Sequence, residues 1–359
     1  MGGDPSGAPR VQVVLVHWNR PALTVRCLES LLGVDYPSFA ITVCDNGSAT
    51  DARAALADWV RGSATVAWRR RDAVGEVRQS GGPAGAVGLD LVEIGRNLGF
   101  AGACNAGMRL AFADPGCRYV WLLNNDTTVD PRALAELVAE MGRRPAAGFG
   151  GSTVLLPGPE ERVQALGGGT YSPWLGRVRL FARARRATGE VAEREARRVR
   201  RRLDFVVATS MLVDRRVWER VGPMDEGYFL YFEELDWIRR ARGAFDLAFA
   251  PRSIVVHDVG GTIGTSVTGR ERSLLAEYYG VRNRLRFTRR HHAPWLPAVL
   301  LGVLATSALR LARGQPGRAA MILALARAAL GLAREEEVCR RYLGAADPRR
   351  SPPPAPGSA

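Results

Sequence analysis

Val11 to Val16 is an apolar run rich in β-branched residues, broken only by Gln12, Ile41 to Cys44 is a second, and between them Val25, Leu28, Leu31 and Leu32 recur at helical spacing. Short apolar runs of this kind read as strands buried on both faces, and a helix between two of them reads as a crossover joining parallel neighbours. The rhythm persists through a helix near Asp51 to Val60, a strand at Leu89 to Ile94, a helix at Ala101 to Phe112, a strand at Tyr119 to Leu123 and a helix from Pro131. Such alternation predicts an α/β fold, Rossmann-like, whose mostly parallel central sheet is flanked by helices. Ligands bind these sheets at the carboxyl ends of the strands, so the residues that follow each apolar run matter most.

Composition narrows the function classes. With 47% hydrophobic and 24% charged residues among 359, the chain is no collagen, long coiled coil or disordered polymer. Its net charge of +14 comes entirely from Arg, since the sequence holds no Lys, and an Arg excess alongside abundant Ala and Gly reflects codon bias as readily as function. A non-catalytic nucleic-acid binder would cluster Arg with stacking aromatics or show zinc-finger spacing, and neither pattern is present. A dinucleotide-dependent oxidoreductase would need glycines after the first strand, where the chain instead reads His17-Trp18-Asn19-Arg20-Pro21. Five cysteines without a CxxC pair, and a start that lacks the apolar run of a secretory signal, suit a reducing cytoplasm.

The expected organisation is a loose leader over residues 1–10, an α/β domain over 11–290, a helical segment over 291–346 and a disordered tail over 347–359. Within the domain, residues 69–88 hold five glycines and read as an inserted surface loop. Residues 177–202 carry eleven Arg mixed with Glu190, Glu193 and Glu195, as a solvated helix or a lid would. Ala293 to Leu309 and Ala319 to Leu332 are apolar, the first broken by Pro294 and Pro297 and the second by Arg327. Neither reaches the ~18 to 20 apolar residues of a clear membrane span. Bracketed by Arg, they fit a surface lying on an anionic leaflet, or equally a packed helical hairpin or dimer face.

Three polar clusters end three expected strands. Asp45-Asn46-Gly47-Ser48 offers a carboxylate that can accept from a base or ribose, although the same residues also make ordinary turns. Asn124-Asn125-Asp126 follows the apolar Trp121 to Leu123; Asn124 and Asp126 share one side of an extended chain, where oxygens could meet a divalent cation and a diphosphate. A helix cap ahead of Pro131 is the alternative for Asp126. Tyr231-Phe232-Glu233-Glu234-Leu235-Asp236-Trp237 packs three carboxylates among aromatics. They cannot all ionise cheaply when buried, so one is expected to hold a raised pKa and accept a proton, unless they serve a helix N-terminus. His257 ends a further strand, as a structural residue or as a ligand.

Together these residues resemble the inverting family 2 glycosyltransferases with the GT-A fold, in the rhamnosyltransferase-like branch. The resemblance runs roughly from Val11 to Asn283 and rests on Asn19-Arg20, Asp45-Asn46-Gly47-Ser48, Asn97-Leu98-Gly99-Phe100-Ala101-Gly102 with Asn105 and Gly107, Leu123 to Asp126, Asp225-Glu226-Tyr228-Phe229, Glu233 to Trp237, and His257 with Gly260-Gly261. It implies that Asn19 and Asp45 hold the nucleotide, that Asn97, Gly99, Asn105, Asn124 and Asn125 line the sugar-nucleotide pocket, and that Asp126 and His257 bind Mg²⁺ or Mn²⁺. Asn124 stands where a DxD motif has its first Asp. Glu234 stands where the family base is usually the Asp of a Glu-Asp pair, which makes it the expected base, with Glu233 and Asp236 as the other candidates and Tyr231 and Trp237 beside the acceptor. The implied donor is dTDP-rhamnose, with UDP-galactofuranose, UDP-hexoses and GDP-mannose as alternatives. The implied acceptor is a glycan, a lipid-linked glycan or a small molecule, in cell-envelope polysaccharide biosynthesis. No nucleic acid is expected; the protein would be cytoplasmic, touching the inner membrane or self-associating through its C-terminal helices.

Overall fold

The computed structural model describes residues 7–159, 162–182, 191, 193–258, 273–344 and 347. The chain opens with β1 (Arg10–His17), α1 (Pro21–Leu32), β2 (Phe39–Asp45), α2 (Thr50–Gly62), β3 (Val66–Arg71), β4 (Val77–Gly81), β5 (Val87–Glu93), α3 (Gly99–Ala113) and β6 (Cys117–Asn124). It continues through β7 (Thr127–Val129), α4 (Ala133–Arg143), β8 (Ala147–Leu155), β9 (Val163–Leu166), β10 (Gly168–Ser172), β11 (Arg177–Leu180), α5 (Glu193–Arg202) and β12 (Phe205–Val206). Next come β13 (Ser210–Asp214), α6 (Arg215–Val221), α7 (Glu233–Ala241) and β14 (Asp246–His257), then α8 (Leu274–His291), α9 (Leu296–Ala312), α10 (Pro316–Ala329) and α11 (Glu335–Tyr342).

The strands join one sheet whose main path runs β11-β10-β9-β8-β13-β6-β1-β2-β5-β3-β4. In β1 the side chains alternate between two cores: Val11, Val13 and Leu15 enter one, Val14 the other. That two-sided burial explains apolar residues on both faces of the strand in place of a strict alternation, and the one polar residue, Gln12, is buried and donates to Thr42. Helix α1 begins at Pro21 and buries Thr24, Cys27, Leu28 and Leu31, the i, i+3, i+4, i+7 stripe of a helix on a sheet. Its two buried Leu contribute roughly 1.5–3 kcal/mol each.

Two sequence expectations need correction. Residues 69–88 are the edge of the sheet and not an inserted loop: β3 pairs in parallel with β5 and antiparallel with β4. Its strand character is hidden by Arg69 and Arg71, which both bond Asp90, and by Arg70, which bonds Glu93. In the Arg-rich stretch, β11 pairs with β10, and α5 turns Ala196 and Val199 inward. Arg200 of α5 is buried against Glu140 at 2.9 Å, so this helix is anchored to the core, while residues 183–190 and 192 lie outside the described residues. The leader up to residue 6, nearly all of the tail, and Gly260-Gly261 also lie outside them.

The last helices dock on the loop before α7. Phe229 and Leu230 share a cluster with Tyr278, Tyr279 and Leu285 of α8, Val299 and Val303 of α9, and Met321 and Ile322 of α10. Glu277, buried at the start of α8, bonds both Arg310 and Arg318, so a single carboxylate ties three helices together.

Candidate active site

Strand β1 has β2 on one side and β6 on the other, both parallel to it. The chain reverses its direction of travel across the sheet at this point, where doubly wound sheets open a crevice for ligands. Asp45 pairs with His17 in register, and Asn124 with Val16, so three apolar strands end in polar side chains at one place. Asp45 is fully buried; its Oδ1 accepts from the Ser48 amide at 3.1 Å, and its Oδ2 has no partner. Burial pushes its carboxyl above the usual range despite the Ser48 hydrogen bonds. A buried, unsatisfied acceptor at a strand end is what a base N–H or a sugar hydroxyl would complete. The turn beneath it requires glycine, since Gly47 has φ +76° and a Cβ there would lie 2.6 Å from the Arg96 carbonyl carbon.

Asp126 and His257 form the second part of the site. Strand β7 pairs antiparallel with β14, which sets His257 opposite Thr127 and puts its Nε2 3.1 Å from Asp126 Oδ1. His257 Nδ1 lies 2.8 Å from Gln164 Oε1, which can only accept, so Nδ1 donates and Nε2 is the ring nitrogen turned to Asp126. Nε2 lies 3.4 Å from Asn124 Nδ2 and faces a carboxylate oxygen that receives no hydrogen bond. An imidazole nitrogen and a carboxylate oxygen this close can share a cation. The donor set, one carboxylate oxygen and one imidazole, suits Mn²⁺ or Mg²⁺. Among the described residues no group of three or more His, Cys, Asp or Glu converges on a metal position. The pair would therefore fill two sites of an ion whose others come from phosphate and water.

The third part is the N-terminus of α7. Tyr231 and Phe232 are left-handed at φ +69° and +72°, a conformation that costs of order 1–3 kcal/mol per non-glycine residue. Asn283 of α8 holds the turn by donating from Nδ2 to the carbonyls of Leu230 (2.7 Å) and Tyr231 (2.9 Å). Glu233 follows, sealed from solvent, while Glu234 is half-buried, and neither Oε2 has a partner. Burial drives both carboxyls up, Glu233 further because of the neighbouring Glu234 charge. The Glu234 carboxyl is pushed up to about 7, even though it accepts from its own N–H and that of Leu235. The arrangement leaves Glu234, the more exposed of the two, able to gain or lose a proton near neutrality, as a general base must.

These parts are tied together through α3. A Cβ at Gly99 would lie 2.3 Å from the Phe229 carbonyl oxygen, and the Phe100 amide donates to that same oxygen at 3.0 Å. Asn46 bridges the other way, donating to Asn97 Oδ1 and accepting from the Leu98 amide. The sequence over residues 9–280 matches the family described as glycosyltransferase like family 2. The chain belongs to that family. No curated protein matches its sequence. Among solved structures it is similar to a mannosyltransferase from Pyrobaculum calidifontis, in complex with GDP-Man and Mn²⁺, at TM-score 0.50 and 16% identity over 96% of this chain and 86% of the other. It is also similar to GalNAc-T7 with UDP, GalNAc and Mn²⁺, at TM-score 0.53 and 14% identity over 77% of this chain and 47% of that one. At these identities the likeness concerns the fold, which is GT-A.

In this family 2 glycosyltransferase several residues expected at the pocket have other work. Asp236 is fully buried but bonded by Arg240 and His291; these bonds outweigh its burial and hold its carboxyl below the usual range, which makes it an anchor between α7 and α8 and no base. Trp237 is core, its edge against Phe149 and its Nε1 donating to Gly222 O. Asn105 faces away from the pocket and grips the 224–226 loop through Met224 and Glu226. Asn125 turns inward to Thr24, which also contacts His17, a ring whose burial drives its pKa down to about 4. Asn97 Oδ1 caps the Gly99 amide, and Asn19 braces the Asp45 turn by accepting from the Ala49 amide at 2.7 Å. Tyr231 stays half-buried beside the C-terminal cluster. Gln164 and Asn283 carry support that the sequence left unmarked, and Asn46, marked as part of the Asp45 turn, bridges it to α3. Asn283→Ala, which frees two buried carbonyls under a strained turn, is expected to cost roughly 2–4 kcal/mol in urea unfolding and to lower kcat more than it raises the donor KM.

Proposed function

We propose that the enzyme transfers a sugar from a nucleoside-diphosphate donor to an acceptor hydroxyl with inversion, Glu234 acting as the base. The observation that carries this reading is Glu234 itself, a half-buried residue at the start of α7 whose Oε2 has no partner and whose carboxyl burial pushes up to about 7. The acceptor O–H gives its proton to Glu234 as its oxygen attacks the anomeric carbon. The bond from that carbon to the diphosphate oxygen breaks on the opposite face, and its electron pair leaves with the diphosphate. Asp126 and His257 would hold a divalent cation, whose chemistry is to neutralise charge on the departing diphosphate. Asp45, with its free Oδ2, would receive the nucleotide's base or ribose.

dTDP-rhamnose is the first donor to test, on the strength of the branch that the motifs resemble, and envelope polysaccharide assembly is the corresponding setting. A panel of dTDP-rhamnose, UDP-galactofuranose, UDP-hexoses and GDP-mannose, read by nucleoside diphosphate release, is expected to give one donor at least tenfold ahead. UDP or dTDP with Mn²⁺ is expected to raise the melting temperature, and NADH or an oligonucleotide to leave it unchanged. Absence of stabilisation by every nucleoside diphosphate would sink the reading.

A further inference from the structure

We propose that the outer face of α9, together with the tip between β10 and β11, docks flat on an anionic lipid bilayer. Residues Ala293–Ala312 are long and apolar enough to cross a membrane, with mean hydropathy 1.6, yet only one side of this helix is free. Val299, Val303 and Ser307 face inward, and the single charge in the helix, Arg310, turns to the same side to bond Glu277. The opposite side, from Pro297 through Leu301, Leu304 and Ala308 to Leu311, presents no charge to solvent over four turns. Leu301 is 68% exposed and Leu311 61%, an unusual cost for a face that meets only water. Because its inner side is bound to α8 and α10, this helix fits a bilayer surface and not a span.

A second element far away in sequence joins the patch. A Cβ at Gly176 would lie 3.1 Å from Val299 Cγ1, and the Leu175 carbonyl accepts from Arg284, so the β10–β11 tip sits against α9. The tip exposes Trp174 and Leu175, and the start of α9 exposes Trp295. Trp is the side chain that settles at the boundary between headgroups and acyl chains.

Charge decides between a membrane and a second copy of the chain. From Tyr278 to Arg334 the sequence holds ten Arg and no Asp or Glu, and five of them, Arg282, Arg286, Arg290, Arg310 and Arg318, pair with Glu335, Asp225 and Glu277. Arg313, Arg327 and Arg334 are exposed, with no ion pair among the described residues. A second copy of the same face would offer these Arg more positive charge. Anionic lipid supplies the missing charge, roughly fivefold in binding per Arg near the surface.

Flotation of the full-length enzyme with vesicles tests this. It is expected to bind vesicles of phosphatidylcholine mixed with phosphatidylglycerol and to stay with the buffer when phosphatidylcholine is used alone. Leu301→Glu with Leu304→Glu, both on exposed positions, should lower binding at least tenfold without shifting the melting temperature. Brominated lipid should quench the wild-type fluorescence, and Trp174→Phe with Trp295→Phe should remove that quenching, a readout that does not depend on the Glu variants folding. Wild type that fails to bind anionic vesicles, or that binds equally well after the substitutions, overturns the proposal. So does a dimer in light scattering that Leu301→Glu with Leu304→Glu dissolves while vesicles are ignored.

Discussion

Glu234→Gln is expected to lower sugar transfer by about 10³-fold or more, in the upper part of the range for loss of a general base, while UDP or dTDP with Mn²⁺ stabilises the variant as well as the wild type. The amide keeps the shape of the side chain and cannot accept the proton. Glu233→Gln should retain most activity, because Glu233 is buried beneath the helix start and Glu234 is the more exposed of the two. The pH profile follows from the sign of the shift. Glu234 must be ionised to act, and its pKa is pushed up to about 7, so kcat/KM should fall with unit slope as the pH drops below about 7. Stability runs the other way: an acid whose folded pKa exceeds its unfolded value of 4.5 contributes fully below that value, and the contribution is lost as pH rises through about 7. Glu234→Gln should therefore be the more stable protein at pH 7.5, by roughly 1–2 kcal/mol once solvent screening is allowed for, and no different at pH 4. An inactive Glu233→Gln beside an active Glu234→Gln would move the base by one residue.

The same helix start shows how far the sequence could be read. Three carboxylates in four positions already implied that their pKa values must diverge, and Glu234 rises as that reasoning required. Arg240, four residues on, is a local reason for Asp236 to be pulled down; what could not be read locally was its other partner, His291, 55 residues away on α8. Strands β1, β2, β5 and β6 were legible because burial on both faces leaves largely apolar runs, and their polar ends marked the crevice. Strand β3 was not, since a strand next to the sheet edge can dress itself in Arg when its neighbour β5 supplies Asp90 and Glu93. Asn105 and Trp237 were assigned to the pocket because motif positions were read as lining positions; in the fold they support the loop and helix that lining residues stand on. Gln164 and Asn283 carried no signal, being single polar residues whose partners lie 93 and about 50 positions away.

Asp126→Asn separates charge from shape at the proposed cation pair, and its two effects have opposite signs. With Mn²⁺ and a nucleoside diphosphate present, the variant should lose most of the metal-dependent rise in melting temperature, and transfer should fall by about 10² or more, since among the described residues no further carboxylate converges on the pair to substitute. Without metal the same variant should be the more stable protein. In the wild type Asp126 Oδ1 lies 3.1 Å from His257 Nε2 and receives no hydrogen bond. The new amide can turn its N–H into that gap and gain one buried hydrogen bond, worth about 1 kcal/mol. His257→Ala gives the complementary result, because it removes the imidazole and leaves Asp126 buried: it should weaken Mn²⁺ as well, but bring no gain in its absence. Differential scanning fluorimetry with and without EDTA reads both differences. If Asp126→Asn were destabilising under both conditions, Asp126 would be a turn cap whose carboxylate the fold itself needs, and the cation would have to bind elsewhere.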